Sequence, residues 1–136
     1  MTILPIRIFP DPILRKKARR VKKVDDNTRV LIRNMILTMQ KARGVGLAAP
    51  QVGELKRIIT IQVPEQEAFA LVNPEVTKRT GAREVNEGCL SVPGFQGLIT
   101  RSISIEARAL DQSGSKLRLT AEELVSQAIE HEIDHL

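Results

Sequence analysis

Glu130-His131-Glu132-Ile133-Asp134-His135-Leu136 closes the sequence and decides how the rest is read. The stretch contains H-E-x-x-H. A helix turns once in about 3.6 residues, so His131 and His135 stack on one face, where two imidazoles can share one metal ion. Glu132 follows the first His directly and falls beside such an ion, where a carboxylate can take a proton from water. These are the only 2 His in 136 residues. A plainer reading is an exposed helix end carrying a polar i, i+4 pair. A third ligand elsewhere in the chain separates the two readings.

Just upstream, Thr120-Ala121-Glu122-Glu123 has the pattern of a capping box and predicts a helix start at Thr120. Leu124, Ala128, His131 and His135 then share one stripe, expected to dock on a sheet and bury the His pair.

Further back the chain is β-rich. Lys56 to Val63, Ala68 to Val76, Ile99 to Ala109 and Lys116 to Leu119 carry β-branched or alternating patterns. Breaks are expected at Pro64, Asn73-Pro74, Gly81, Pro93-Gly94, Gly97 and Asp111-Gln112-Ser113-Gly114, the last as a hairpin turn. Asn86-Glu87-Gly88-Cys89-Leu90-Ser91-Val92-Pro93 holds the single Cys. A lone Cys is commonly a small buried hydrophobe; beside two ligand-like His a metal thiolate competes with that reading.

Met1 to Phe9 is apolar and β-leaning but broken by Pro5, and Phe9-Pro10-Asp11-Pro12 reads as a turn. Arg15 to Lys23 is strongly basic, equally consistent with an exposed segment and with a phosphate-facing patch. A helix is predicted from Asp25, Asp26 and Asn27 through Arg43, with Gly44 as its left-handed stop. Gly44 to Gln51 (GVGLAAPQ) follows, either as the close wall of a cleft presenting Gln51 or as an ordinary turn.

Composition narrows the class. Hydrophobic residues make up 42 %, so a core can form, but aromatics are only 2 %, so it must be aliphatic. The net charge of +5 allows an anionic partner such as RNA, although three Phe offer little for base stacking. Membrane-length apolar runs and a signal-peptide pattern are both missing, and one Cys cannot pair internally. A cytoplasmic home is expected. With no repeat or linker, residues 1–136 are read as a single catalytic domain.

Three stretches together and in order resemble peptide deformylase. Gly44–Gln51 (GVGLAAPQ), Glu87–Ser91 (EGCLS) and His131–His135 (HEIDH) are similar to that family's G-x-G-L-A-A-P-Q, E-G-C-L-S and H-E-x-x-H. Asp11-Pro12-Ile13-Leu14-Arg15 is similar to its D-P-x-L-R. The resemblance implies an α+β fold, with antiparallel β-sheets wrapped around a central C-terminal helix bearing the His pair, and an N-terminal helix. It implies hydrolytic removal of the N-formyl group from formylmethionine on nascent polypeptides, releasing formate. Cys89, His131 and His135 would be the metal ligands, holding a water that attacks the formyl carbon with Glu132 as general base. The Gln51 amide and the Leu90 backbone N–H would hold the oxyanion. Glu87 and Arg101 would pair and steady the Cys loop. Fe(II) is the implied ion, with Zn, Ni or Co able to substitute. Val45, Gly46, Gly88, Leu90, Ile129 and Glu130 are the candidate substrate pocket. Gln96 stands where relatives carry a basic or aromatic residue that contacts the substrate backbone. The sequence also looks shortened after His135, where family helices run on and where, in some members, the tail meets the ribosome.

The implied partners are formylmethionyl nascent chains and a transient ribosome contact, with neither membrane nor DNA, and a monomer is expected. Amide hydrolysis fits these residue types: a metal lowers the pKa of bound water from about 15.7 to near 7. Two further readings stand beside it. One is a general metallopeptidase, against which the Cys ligand argues. The other is a catalytically weak or inactive relative that binds ribosomes or RNA through the basic run.

Overall fold

The computed structural model describes residues 2–136. Met1 lies outside them, and residues 2–9 form no strand. They run as a strap instead, tied by Leu4 N–H to Thr38 Oγ1 (2.8 Å) and Arg7 N–H to the Gln51 carbonyl (2.6 Å).

The first helix, α1 (Asp26–Lys41), starts where expected. The Asp25 carboxylate accepts from the Thr28 N–H and hydroxyl, each at 2.9 Å. Its end differs from expectation. The left-handed residue is Arg43 (φ 57), not Gly44. Arg43 N–H bonds the Gln40 carbonyl and Gly44 N–H bonds the Met39 carbonyl, which is the paired closure of a Schellman end. A side chain on Gly44 would lie 2.7 Å from Leu90 Cδ1 and would have to displace that side chain, so contact rather than φ favours glycine there.

Five strands form one antiparallel sheet in the order β1-β2-β3-β6-β7: β1 (Gly46–Ala48), β2 (Ile58–Ile61), β3 (Phe69–Thr80), β6 (Ser104–Leu110) and β7 (Lys116–Glu122). β4 (Arg83–Cys89) and β5 (Val92–Arg101) make a separate two-stranded sheet. The C-terminal helix α2 (Glu123–Asp134) packs on one face of the large sheet and α1 on the other. Strand alternation explains the two layers. Ile59, Ile61 and Leu71 join Ala128 and Ile129 on the α2 side, while Ile58, Ala70 and Val72 join Met35 and Met39 on the α1 side. The architecture is thus α+β, with antiparallel sheets around the helix that carries the His pair.

Several boundaries move. The expected break at Asn73-Pro74 is a bulge inside β3: register slips between Val72 and Glu75, and Asn73 sits at φ 53. Its amide makes two 2.8 Å bonds to the backbone of Val21 and so fastens the basic segment to the sheet. Pro93, Gly94 and Gly97 lie within β5 rather than ending it. The capping box at Thr120 does not form. Thr120 and Ala121 stay in β7, paired with Glu106 and Ile105, and the helix begins at Glu123 without a side-chain cap. A ladder bond to a long neighbouring strand outcompetes a local cap.

Candidate metal centre

Cys89 ends β4, and the turn Leu90-Ser91 folds straight back into β5, where Cys89 pairs with Val92. That hairpin brings its thiol against the His-bearing end of α2. Cys89 Sγ is 3.4 Å from His135 Nε2, which is 3.2 Å from His131 Nε2. Ligand atoms of all three residues lie within 4.8 Å of one another.

His131 Nδ1 lies 2.7 Å from Glu87 Oε1. A carboxylate can only accept, so the ring proton sits on Nδ1 and the Nε2 lone pair points to the cluster. Glu87 is itself held by a two-pronged bond from Arg101, with Nε to Oε2 and Nη2 to Oε1 both at 2.9 Å. The third prong of Arg101, Nη1, reaches Asp134 Oδ2 at 2.6 Å. Arg101 is only 7 % exposed. Burial alone would raise the Glu87 pKa, but bonds from Arg101 and His131 hold it below the usual carboxylate range. Burial would lower the Arg101 pKa, and Glu87 and Asp134 reverse that.

Glu132 is buried beside Gly46, where a Cβ would stand 2.5 Å from Oε2. Burial, then the charge of Glu87, pushes its pKa up to about 8. Its Oε1 is buried with no hydrogen-bond partner. Burial and His131 depress His135 to about 4, and burial followed by Glu132 raises Cys89. An orphaned buried carboxylate oxygen next to one sulfur and two imidazole nitrogens fits a cation with a coordinated solvent ligand.

Gln51 is 1 % exposed in the 3-10 turn Ala49–Val52. Its Oε1 accepts from Ala48 N–H (2.9 Å), while Nε2 donates to Ser91 Oγ (3.0 Å) and points at Cys89 Sγ (3.5 Å). The amide is therefore locked with its N–H groups toward the thiol.

These residues open on a cleft of about 770 Å³. Val45, Gly46, Gly88, Leu90 and Gln96 line it, as do Leu124, Ala128 and His131. The helix stripe expected to dock on the sheet does so only in part: Ala128 packs into the core beside Val125, Ile129, Ile133 and Leu136, while Leu124 and His131 line the cleft. Two candidate pocket residues lie off the cleft. Ile129 is fully buried in the core and Glu130 turns to the far side of α2. There Glu130 accepts from Ser102 N–H (2.7 Å), Ser102 Oγ (3.0 Å) and Arg79 Nε (3.0 Å). At about 100° per residue, Glu130 is turned off the cleft on one side of His131 and Ile129 lies about 200° away, whereas Gln127 and Glu132 stay on the cleft wall. Sequence reasoning missed Ser91 and Asp134. Ser91 lies within the EGCLS stretch, and Asp134 precedes the second His, so their positions held the only signal.

The family model for polypeptide deformylase matches residues 3–136. The chain is 45 % identical to a peptide deformylase of Dehalococcoides mccartyi over 137 residues, spanning all of this chain and 82 % of that relative. Among solved structures, a peptide deformylase from Legionella pneumophila superposes with TM-score 0.95 at 41 % identity, over 98 % of this chain and 80 % of that one. A peptide deformylase from Ehrlichia chaffeensis in complex with actinonin gives 0.97 at 36 %, over 100 % and 84 %.

Proposed function

Since the chain belongs to the peptide deformylase family, we propose that the cleft beside Cys89, His131 and His135 is where its reaction occurs. The protein is a hydrolase that removes the formyl group from formylated nascent polypeptides, and its family is metal-dependent. One observation carries the assignment of roles. A thiol and two imidazoles face one point in a cleft wall, with the partnerless Glu132 oxygen beside them.

Cys89, His131 and His135 hold the cation, with Fe(II) proposed and Zn, Ni or Co able to replace it. When bound, the ion supplies Lewis acidity that makes a nucleophile available near neutral pH. Glu132 takes the proton of the attacking water and delivers it to the departing amine nitrogen. Its elevated proton affinity suits a group that must both accept and release. Gln51 Nε2 and the Leu90 backbone N–H steady the oxygen as it becomes negative; one such donor contributes about 3–4 kcal/mol. Glu87 and Arg101 keep the His131 ring in the right tautomer and orientation. Val45, Gly46, Gly88 and Leu90 form the wall for the methionine side chain. The setting we propose is one catalytic domain acting as a monomer in the cytoplasm, on chains met in passing at the ribosome.

Anaerobically prepared, iron- or nickel-loaded protein should release formate from a formyl-Met peptide. No release from loaded protein would refute the reading.

A further inference from the structure

Arg43 carries a cost that glycine would avoid. It occupies the left-handed position that closes α1, at φ 57, immediately before a glycine. A non-glycine residue held in that region marks a place to look for function. Its side chain is exposed and forms no ion pair or side-chain hydrogen bond among the described residues. Glu65 shares a shallower hollow with Arg43 yet stays beyond 4.0 Å ion-pair range.

Arg43 also lines the catalytic cleft. The other formal charges on that wall are committed. Glu87 is taken by Arg101 and His131, and Glu132 is buried. The remaining side chains at the mouth are uncharged, among them Ile8 and Phe95, both more than half exposed, and the amides Asn86 and Gln96. Among the described residues that line the cleft, Arg43 therefore supplies the one free charge facing an entering peptide. Gly44 and Gly46 add no side chains to the intervening wall, which carries only that of Val45.

Reach sets which substrate residue it meets. Gly46 touches Glu132, and Arg43 is three residues away, at most about 11 Å along the chain. A peptide whose formyl group lies beside Glu132 places its second and third residues at a similar distance. We propose that Arg43 is a specificity-determining residue: it selects formyl-Met peptides with Asp or Glu at position two or three. This rests on the deformylase reading above.

The test uses the metal-loaded enzyme and three amidated peptides: formyl-Met-Asp-Asp-Ala, formyl-Met-Ala-Ala-Ala and formyl-Met-Lys-Lys-Ala. The acidic peptide should exceed the basic one in kcat/KM by roughly 1.5- to fivefold, the range for exposed charge pairs, mostly through KM. The ratio should flatten in Arg43→Gln, invert in Arg43→Glu, and shrink toward one in about 1 M salt. A preference that is absent, or that survives Arg43→Glu, overturns the proposal. Failure to release formate from the Ala peptide overturns the deformylase reading instead.

Discussion

Gly46 and Glu132 touch so closely that a single methyl group on the glycine would collide with the carboxylate, at 2.5 Å from Oε2 and 2.9 Å from Cδ. The edge strand β1 and the helix α2 are thereby fixed against each other at the point where a proton has to move. Gly46→Ala should push Glu132 off its position. A misplacement of about 1 Å costs on the order of a hundredfold in rate. Formate release should fall by about that factor while the metal content stays near one ion per chain. An unchanged rate would show that Glu132 is not held by this contact.

Glu87→Gln keeps the side-chain volume but removes the charge that orients the His131 ring. Loss of such a partner costs about 10- to 100-fold in metal affinity. Competition with a chelator reads this directly, independent of turnover. Unaltered affinity would mean that Arg101 and the backbone suffice to orient His131.

Ile129 lies in the core rather than in the pocket, which separates two outcomes. Ile129→Ala should lower unfolding stability by about 2–5 kcal/mol. The KM of the folded enzyme for a formyl-Met peptide should not move. A raised KM with unchanged stability would restore Ile129 to the pocket wall.

The raised pKa of Glu132 sets a pH dependence for the metal-free protein. The unfolded chain ionises this carboxylate near its ordinary value of 4.5, and the folded chain keeps the proton to about 8. Between those values the folded state binds more protons, so stability falls as pH rises. Below about pH 6.5 His135, held down to about 4, opposes this, so the urea midpoint of metal-free protein should drop between about 6.5 and 8. The slope should be smaller in Glu132→Gln, which stays neutral. A midpoint that climbs over the same interval would contradict the buried-carboxylate picture.

Much of this was legible in the residues. Three short stretches, matched to a family, supplied the residues proposed as ligands and proton carrier and the Gln51 amide, and the structure brings them to one cleft. Periodicity found α1, enclosed β2, and caught the starts of β3 and β7 while stopping short of their ends at Thr80 and Glu122. It failed where pairing overrode local preference. β4 reads REVNEGC and has little apolar content, and β5 contains Pro93, Gly94 and Gly97; the two hold each other across a hairpin. Thr120 had a cap sequence and a strand position, and the neighbouring strand decided between them. Pocket membership was the least legible, since Ile129 and Glu130 sit next to ligands in sequence and on the opposite face of the helix.

Whether Cys89, His131 and His135 meet at one ion is open to a direct measurement: X-ray absorption at the metal edge of zinc-loaded protein, paired with Cys89→Ala. One sulfur at about 2.3 Å and two imidazole nitrogens at about 2.0–2.1 Å are expected, with the sulfur lost in the variant. A metal bound without sulfur, or a sulfur signal unchanged by removing Cys89, would contradict the assigned centre.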